Sequence, residues 1–159
     1  MKGKLLAEIK KKLSEGKICT KIEVDAGQVE EIDTNTDKSV TLPNSVFISF
    51  SQINYKNTEV KGVQDGDLLI TVKCLSKSID RGVLDFDFVE NVFLALQDFE
   101  GSFFTFFNRV SEPETFYKLA YTVSSIVFET TITDDRAFNK EQERYEKVSP
   151  TLKVEKSNE

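Results

Sequence analysis

At 159 residues and a net charge of −6, the chain falls in the size range of one domain. It can bury roughly 70% of the surface its unfolded form exposes, so it needs no disulfide or metal to fold. It contains no histidine, which excludes Ser-His-Asp and Cys-His nucleophile arrangements and histidine-based metal sites within it.

Residues 1–21 hold seven lysines against Glu8 and Glu15, whereas residues 22–133 hold 18 acids against eight bases. A basic start on an acidic body argues against nucleic-acid binding over that body, because phosphate contacts need clustered Lys and Arg. The opening apolar run is only Leu5, Leu6 and Ala7 before charge resumes, too short for a secretory signal. No later stretch approaches the ~20 apolar residues of a membrane span.

Leu5, Leu6, Ile9 and Leu13 recur at helical spacing and predict an amphipathic helix over 3–15, with Gly16 placed for a left-handed cap. Lys10, Lys11 and Lys12 lie on its polar side as a solvated face or an electrostatic contact. Ile18, Thr20, Ile22 and Val24 then alternate as a strand with one apolar face. The polar stretch 25–42, which includes Glu30, Glu31 and Asp33, reads as a long excursion with room for a short hairpin.

Two strands are expected next, 45–54 and 67–76, paired antiparallel through a turn at Asp65-Gly66. Asp85 is placed to cap a second helix over 86–98, where Phe86, Val89, Val92, Phe93 and Leu96 form the apolar stripe and Gly101 closes the segment. Ser102–Val110 reads as a short aromatic strand. Residues 116–132 read as the longest strand, with a bulge or bend at Ser124-Ser125 where the apolar register changes.

These elements predict an α+β protein, an antiparallel or mixed sheet flanked by an N-terminal and a central helix in the order α-β-β-β-α-β-β. One domain covers 1–133, and 134–159 forms a polar tail whose Phe138, Tyr145, Val148, Leu152 and Val154 suit docking on a neighbour.

Cys19 and Cys74 sit in strand-like stretches without metal spacing and read as free thiols filling core space. Phosphate-cradling glycine loops are absent, and no cofactor is expected. The acidic pairs Asp65/Asp67, Asp85/Asp87 and Asp134/Asp135 could share a hard cation, but turn and cap roles explain the first two more simply. Phe103, Phe104, Phe106 and Phe107 could stack nucleobases, yet only Arg109 is a nearby cation, so core packing or a subunit contact is the better reading.

The helix LLAEIKKKLSEG, the strand LPNSVFISFSQI, the hairpin arm GDLLITVKCLSKS, the helix DFVENVFLALQDFEG and the strand LAYTVSSIVFETTITDD follow one another in an order that resembles phage tail-terminator and tail-completion proteins and their neck relatives. The resemblance covers residues 4–135 and is one of architecture, without a diagnostic motif. It implies a sixfold ring that caps the tail tube and receives the head connector, with no catalytic residues, first in the cytoplasm of a bacterial host and then in the virion. It also implies contacts from the 25–42 excursion (Glu30, Glu31, Asp33), the 54–66 hairpin (Tyr55, Lys61), the tail (Phe138, Tyr145) and the basic helix (Lys10, Lys11, Lys12). The composition fits equally a small acidic intracellular adaptor or inhibitor acting as monomer or dimer, and less well a carboxylate-dependent metal enzyme.

Overall fold

The computed structural model describes residues 1–19, 21–31, 44–77, 86–111, 113–117, 121–137 and 139–140. Asp33, Asp85, Phe138, Tyr145 and most of the predicted tail lie outside the described residues. The class is α+β. One mixed sheet runs in the order β1 (Lys21–Val24), β2 (Ser45–Phe50), β4 (Gln64–Lys77), β7 (Tyr121–Asp134), β5 (Asn108–Arg109), with β3 (Asn54–Asn57) also on β4 and β6 (Glu114–Tyr117) also on β7. Helices α1 (Lys2–Glu15) and α3 (Phe86–Leu96) cover one side, and a single turn, α2 (Gln28–Glu31), follows β1.

The predicted first helix forms as its spacing requires, with Leu5, Ile9 and Leu13 fully buried. Its end differs from the expectation. Gly16 stays right-handed, with φ −72°, and Lys17 takes the left-handed position at φ 51°. Gly16 is small for a packing reason, since a Cβ there would lie 3.1 Å from the Ile18 side chain.

The spine of the sheet is the β4–β7 ladder, which pairs antiparallel without interruption from Gln64↔Asp134 to Lys77↔Tyr121. No bulge occurs at Ser124-Ser125. The apolar register changes there because the strand serves two cores on opposite faces. Ile126, Phe128 and Ile132 enter the helix-side core with Leu68, Ile70, Val72 and Cys74, while Val123 joins Phe47, Leu75 and Val29 in a smaller cluster on the reverse face.

The extra residue sits instead on the opposite side of β4. Phe50 faces Ile70 and Asn54 faces Asp67, so residues 51–53 lie opposite only 68 and 69, the geometry of a bulge. Ser51 holds it: its N–H donates to the Leu69 carbonyl at 2.9 Å and its Oγ accepts the Leu69 N–H at 3.0 Å. The predicted strand 45–54 is thereby split into β2 and β3.

Asp65-Gly66 is not the hairpin turn. Both lie inside β4 opposite Lys56 and Tyr55, and the reversal spans 58–63 with Gly62 at φ 83°. Gly66 is required by close approach, because a Cβ there would fall 2.8 Å from Tyr55 Cδ1 and against Ile53 Cγ2.

Three further corrections concern the second half. Helix α3 ends at Leu96 and is closed by Asp98 at φ 58°, not by Gly101; the Asp98 N–H reaches the Phe107 carbonyl at 3.1 Å. Gly101 lies beneath the Phe104 ring, whose Cζ would be 2.7 Å from a Cβ. The expected strand 102–110 shrinks to Asn108–Arg109, because Phe99, Phe103, Phe104 and Phe107 wrap into an aromatic cluster with centroids 5.1–5.6 Å apart. The run 116–132 resolves into two strands, with β6 folding back on β7.

β1 pairs with β2 in parallel, from Lys21↔Ser45 to Val24↔Ile48. Asp25, at the end of β1, forms an ion pair with Lys73 of β4 at 2.6 Å, its carboxylate side chain only 7% exposed.

Candidate interaction surfaces

Alternation along the β4–β7 ladder turns Leu68, Ile70, Val72, Ile126 and Phe128 toward the helices and Leu69, Thr71, Val127 and Glu129 away from them. The upper end of this reverse face is closed by the Val29, Phe47, Leu75 and Val123 cluster. Below it no described residue covers the sheet. Leu69, Phe106, Val110 and Phe116 are each 44–51% exposed, and the ladder registers place them on this one face. Phe116 stands beside Val123, Asn108 beside Glu129, and Val110 two residues on from Asn108. Leu69 and Phe106 line an open depression of about 580 Å³ with Ser51, Asn108, Glu129 and Thr131, cut beside the 51–53 bulge.

Carboxylates rim the apolar group. Asp67 accepts from Lys56 Nζ at 2.9 Å and from the Thr131 hydroxyl at 3.1 Å, and both bonds hold its carboxyl below the ordinary range. Asp65 accepts the Thr133 hydroxyl at 2.7 Å. These two aspartates therefore act as strand residues tied to β7 rather than as turn formers. Asp134 is also held low, first by its hydrogen bonds from Arg136. Stabilisation from such depressed carboxylates is present above the ordinary carboxylate pKa and is lost as pH falls through the folded value. Among the described residues no group of three or more metal-ligating side chains converges.

The sequence-predicted contact residues are not gathered in one place. Lys10, Lys11 and Lys12 sit on α1, where Lys11 pairs with Glu15 at 4.0 Å and Lys12 lies 5.5 Å over the Phe99 ring. Tyr55 lies on β3 and Lys61 in the 58–63 reversal, at another end of the molecule. Glu30 and Glu31 belong to α2. The open sheet face was missed, although its signal was present: Leu69, Thr71, Lys73 and Leu75 alternate with the core residues of the same strand.

Phe104 and Phe107 are buried, as core packing required, whereas Phe106 is 48% exposed. The two thiols are both free and buried in the helix-side core. Burial pushes the Cys19 thiol up to about 11 and raises Cys74 further still, with Cys19 adding to the effect. The thiolate is the reactive form, so a disulfide-exchange reagent at pH 8 is expected to modify neither cysteine in the native chain and both after denaturation. A fast-reacting thiol in the native protein would contradict this packing.

No family model matches the chain, and no curated protein matches it at a significant level.

Proposed function

We propose that the chain is a non-enzymatic structural protein that works by self-assembly, as a phage or prophage tail-terminator or tail-completion protein. Copies close into a ring, one ring face meets the last ring of tail-tube protein, and the other receives the head connector. Assembly takes place in the host cytoplasm and ends in the virion tail.

The observation that carries this reading is the open sheet face. A chain of this size that places four large apolar side chains together on one exposed face carries a contact surface, since the largest such patch on a monomer is commonly a binding site. Leu69 and Phe116 lie on strands and Phe106 and Val110 flank β5, so the face is anchored on the sheet, which suits a permanent structural contact. The polarity of a basic α1 on an acidic body suits stacking of unlike faces.

Absolute mass by light scattering, across protein concentration and salt, tests the reading. The expected result is an assembly several times the 18.1 kDa chain mass, growing with concentration. A strict monomer under every condition would sink it.

A further inference from the structure

The sheet side away from the helices is short of cations. The ladder registers place Lys21, Lys56 and Lys73 on it, and each is already bound: Lys21 to Glu23 at 3.7 Å, Lys56 to Asp67 at 2.9 Å and Lys73 to Asp25 at 2.6 Å. Asp65, Glu114 and Glu129 share that side, and no described lysine or arginine pairs with them. Among the described side chains the face therefore carries carboxylates in excess beside its exposed apolar groups.

Glu129 is the one of the three that stands in a recess. It lines the depression beside the 51–53 bulge together with Leu69, Phe106, Gln52, Asn54 and Asn108. Asn108 pairs across from Glu129, and Phe106 lies two residues along on the same side, so ring and carboxylate are diagonal neighbours. Gln52, Asn54 and Asn108 each bring an amide oxygen to the same opening. A guanidinium group matches this set. Its flat face stacks on an exposed ring, its fork binds a carboxylate through two parallel N–H bonds, and its remaining donors need further acceptors. An ammonium group is a compact point charge that holds its water more tightly, so it uses the ring and the amides less well.

Resting on the reading above only in taking this face as a contact surface, we infer that the depression receives an arginine side chain of a partner protein, laid on Phe106 with its fork on Glu129. A second copy has no arginine to offer among the described residues: Arg109 lies 4.5 Å over the Phe93 ring, and Arg136 is bound to Asp134. The arginine is borne on a peptide segment, because Val110 and Phe116 extend the exposed apolar surface beyond the depression. Apolar side chains at alternate positions of an extended segment cover that surface, which a free arginine would leave in water.

The test is fluorescence anisotropy of a labelled peptide, Gly-Leu-Ser-Arg-Ser-Leu-Gly, titrated with the full-length chain. Matched peptides carry lysine, citrulline or glutamate at the central position. The arginine peptide is expected to bind more tightly than the lysine peptide by at least roughly threefold, and the other two to bind more weakly still. Glu129→Gln is expected to weaken the arginine peptide roughly tenfold, and Phe106→Ala about fivefold. Glu114→Gln is the control. Glu114 stands opposite Ser125, four residues from Glu129 along β7, or about 13 Å, beyond the screening length of about 8 Å at physiological salt. Its loss is expected to change binding by less than about twofold. Circular dichroism melts confirm folding, and Phe106→Ala carries the test where Glu129→Gln fails to fold. Equal binding of the arginine and lysine peptides, a Glu129→Gln chain that binds as the wild type does, or no binding by any peptide overturns the arginine site. Light scattering of the same samples separates this from the assembly reading. Failed binding beside wild-type assemblies sinks the arginine site alone, and arginine-selective binding to a strict monomer sinks the assembly alone.

Discussion

Replacing Phe107 with alanine is expected to destabilise the fold by about 3–5 kcal/mol, the range for removing a fully buried aromatic ring. In a chain of this length that corresponds to a fall in melting temperature on the order of 10 °C. Phe107 is completely buried and its ring contacts Phe99, Phe104 and Phe128 at centroid separations of 5.4–6.0 Å. Its backbone also ties the turn after α3 to the sheet, through bonds to Asp98 and Phe99. The same substitution at the neighbouring Phe106, measured at a dilution where the chain is monomeric, is expected to change stability by no more than about 0.5 kcal/mol. Thermal melts of the two variants side by side decide the matter: comparable losses would mean that Phe106 is also a core residue and that the sheet face is not open.

The second large effect concerns the ion pair between Asp25 and Lys73. Removing one partner of a buried pair strands the other charge, and Lys73→Met is expected to cost about 3 kcal/mol. Among the described residues, Asp25 would keep the Gly27 N–H at 3.1 Å as a bond to its carboxylate. Adding Asp25→Asn removes the stranded charge while preserving that acceptor, so the double variant is expected to recover at least half of the loss. Urea titrations of the wild type, both single variants and the double variant give the coupling energy. A coupling below about 0.5 kcal/mol would mean that the pair behaves as a surface salt bridge.

The elements with a strong period were legible without the structure. Helix α1 followed from Leu5, Ile9 and Leu13, and α3 from Val89, Val92 and Leu96. The antiparallel pairing of β2 with β4 followed from their alternation. Sites where tertiary packing overrode local chemistry were not. Asp65-Gly66 has turn chemistry, but the Tyr55 ring needs the space above Gly66, so the glycine belongs in a strand. The four phenylalanines of 103–107 have strand composition, but burying several rings in one corner outweighed extending the chain.

The change of apolar register at Ser124-Ser125 invited a bulge because one buried face was assumed; two cores on one straight strand produce the same pattern. Of the candidate surfaces, the lysines of α1 were visible as charge. The sheet face was not, because Leu69 of β4, Phe106 and Val110 on either side of β5, and Phe116 of β6 come from three separate segments that the β7 ladders bring together.

The β4–β7 ladder also governs when this chain can become a folded protein. Its partners are far apart in sequence, from Lys77 with Tyr121 to Gln64 with Asp134, and such remote pairings are slow to form because a long loop must close first. During synthesis β4 emerges with one edge satisfied by β2 and β3 and the other bare until β7 has left the ribosome. Over that interval its Leu68, Ile70 and Val72 face lacks the strand that completes the core. The nascent chain therefore carries an unintended adhesive edge, and prompt release of its last strand separates folding from aggregation.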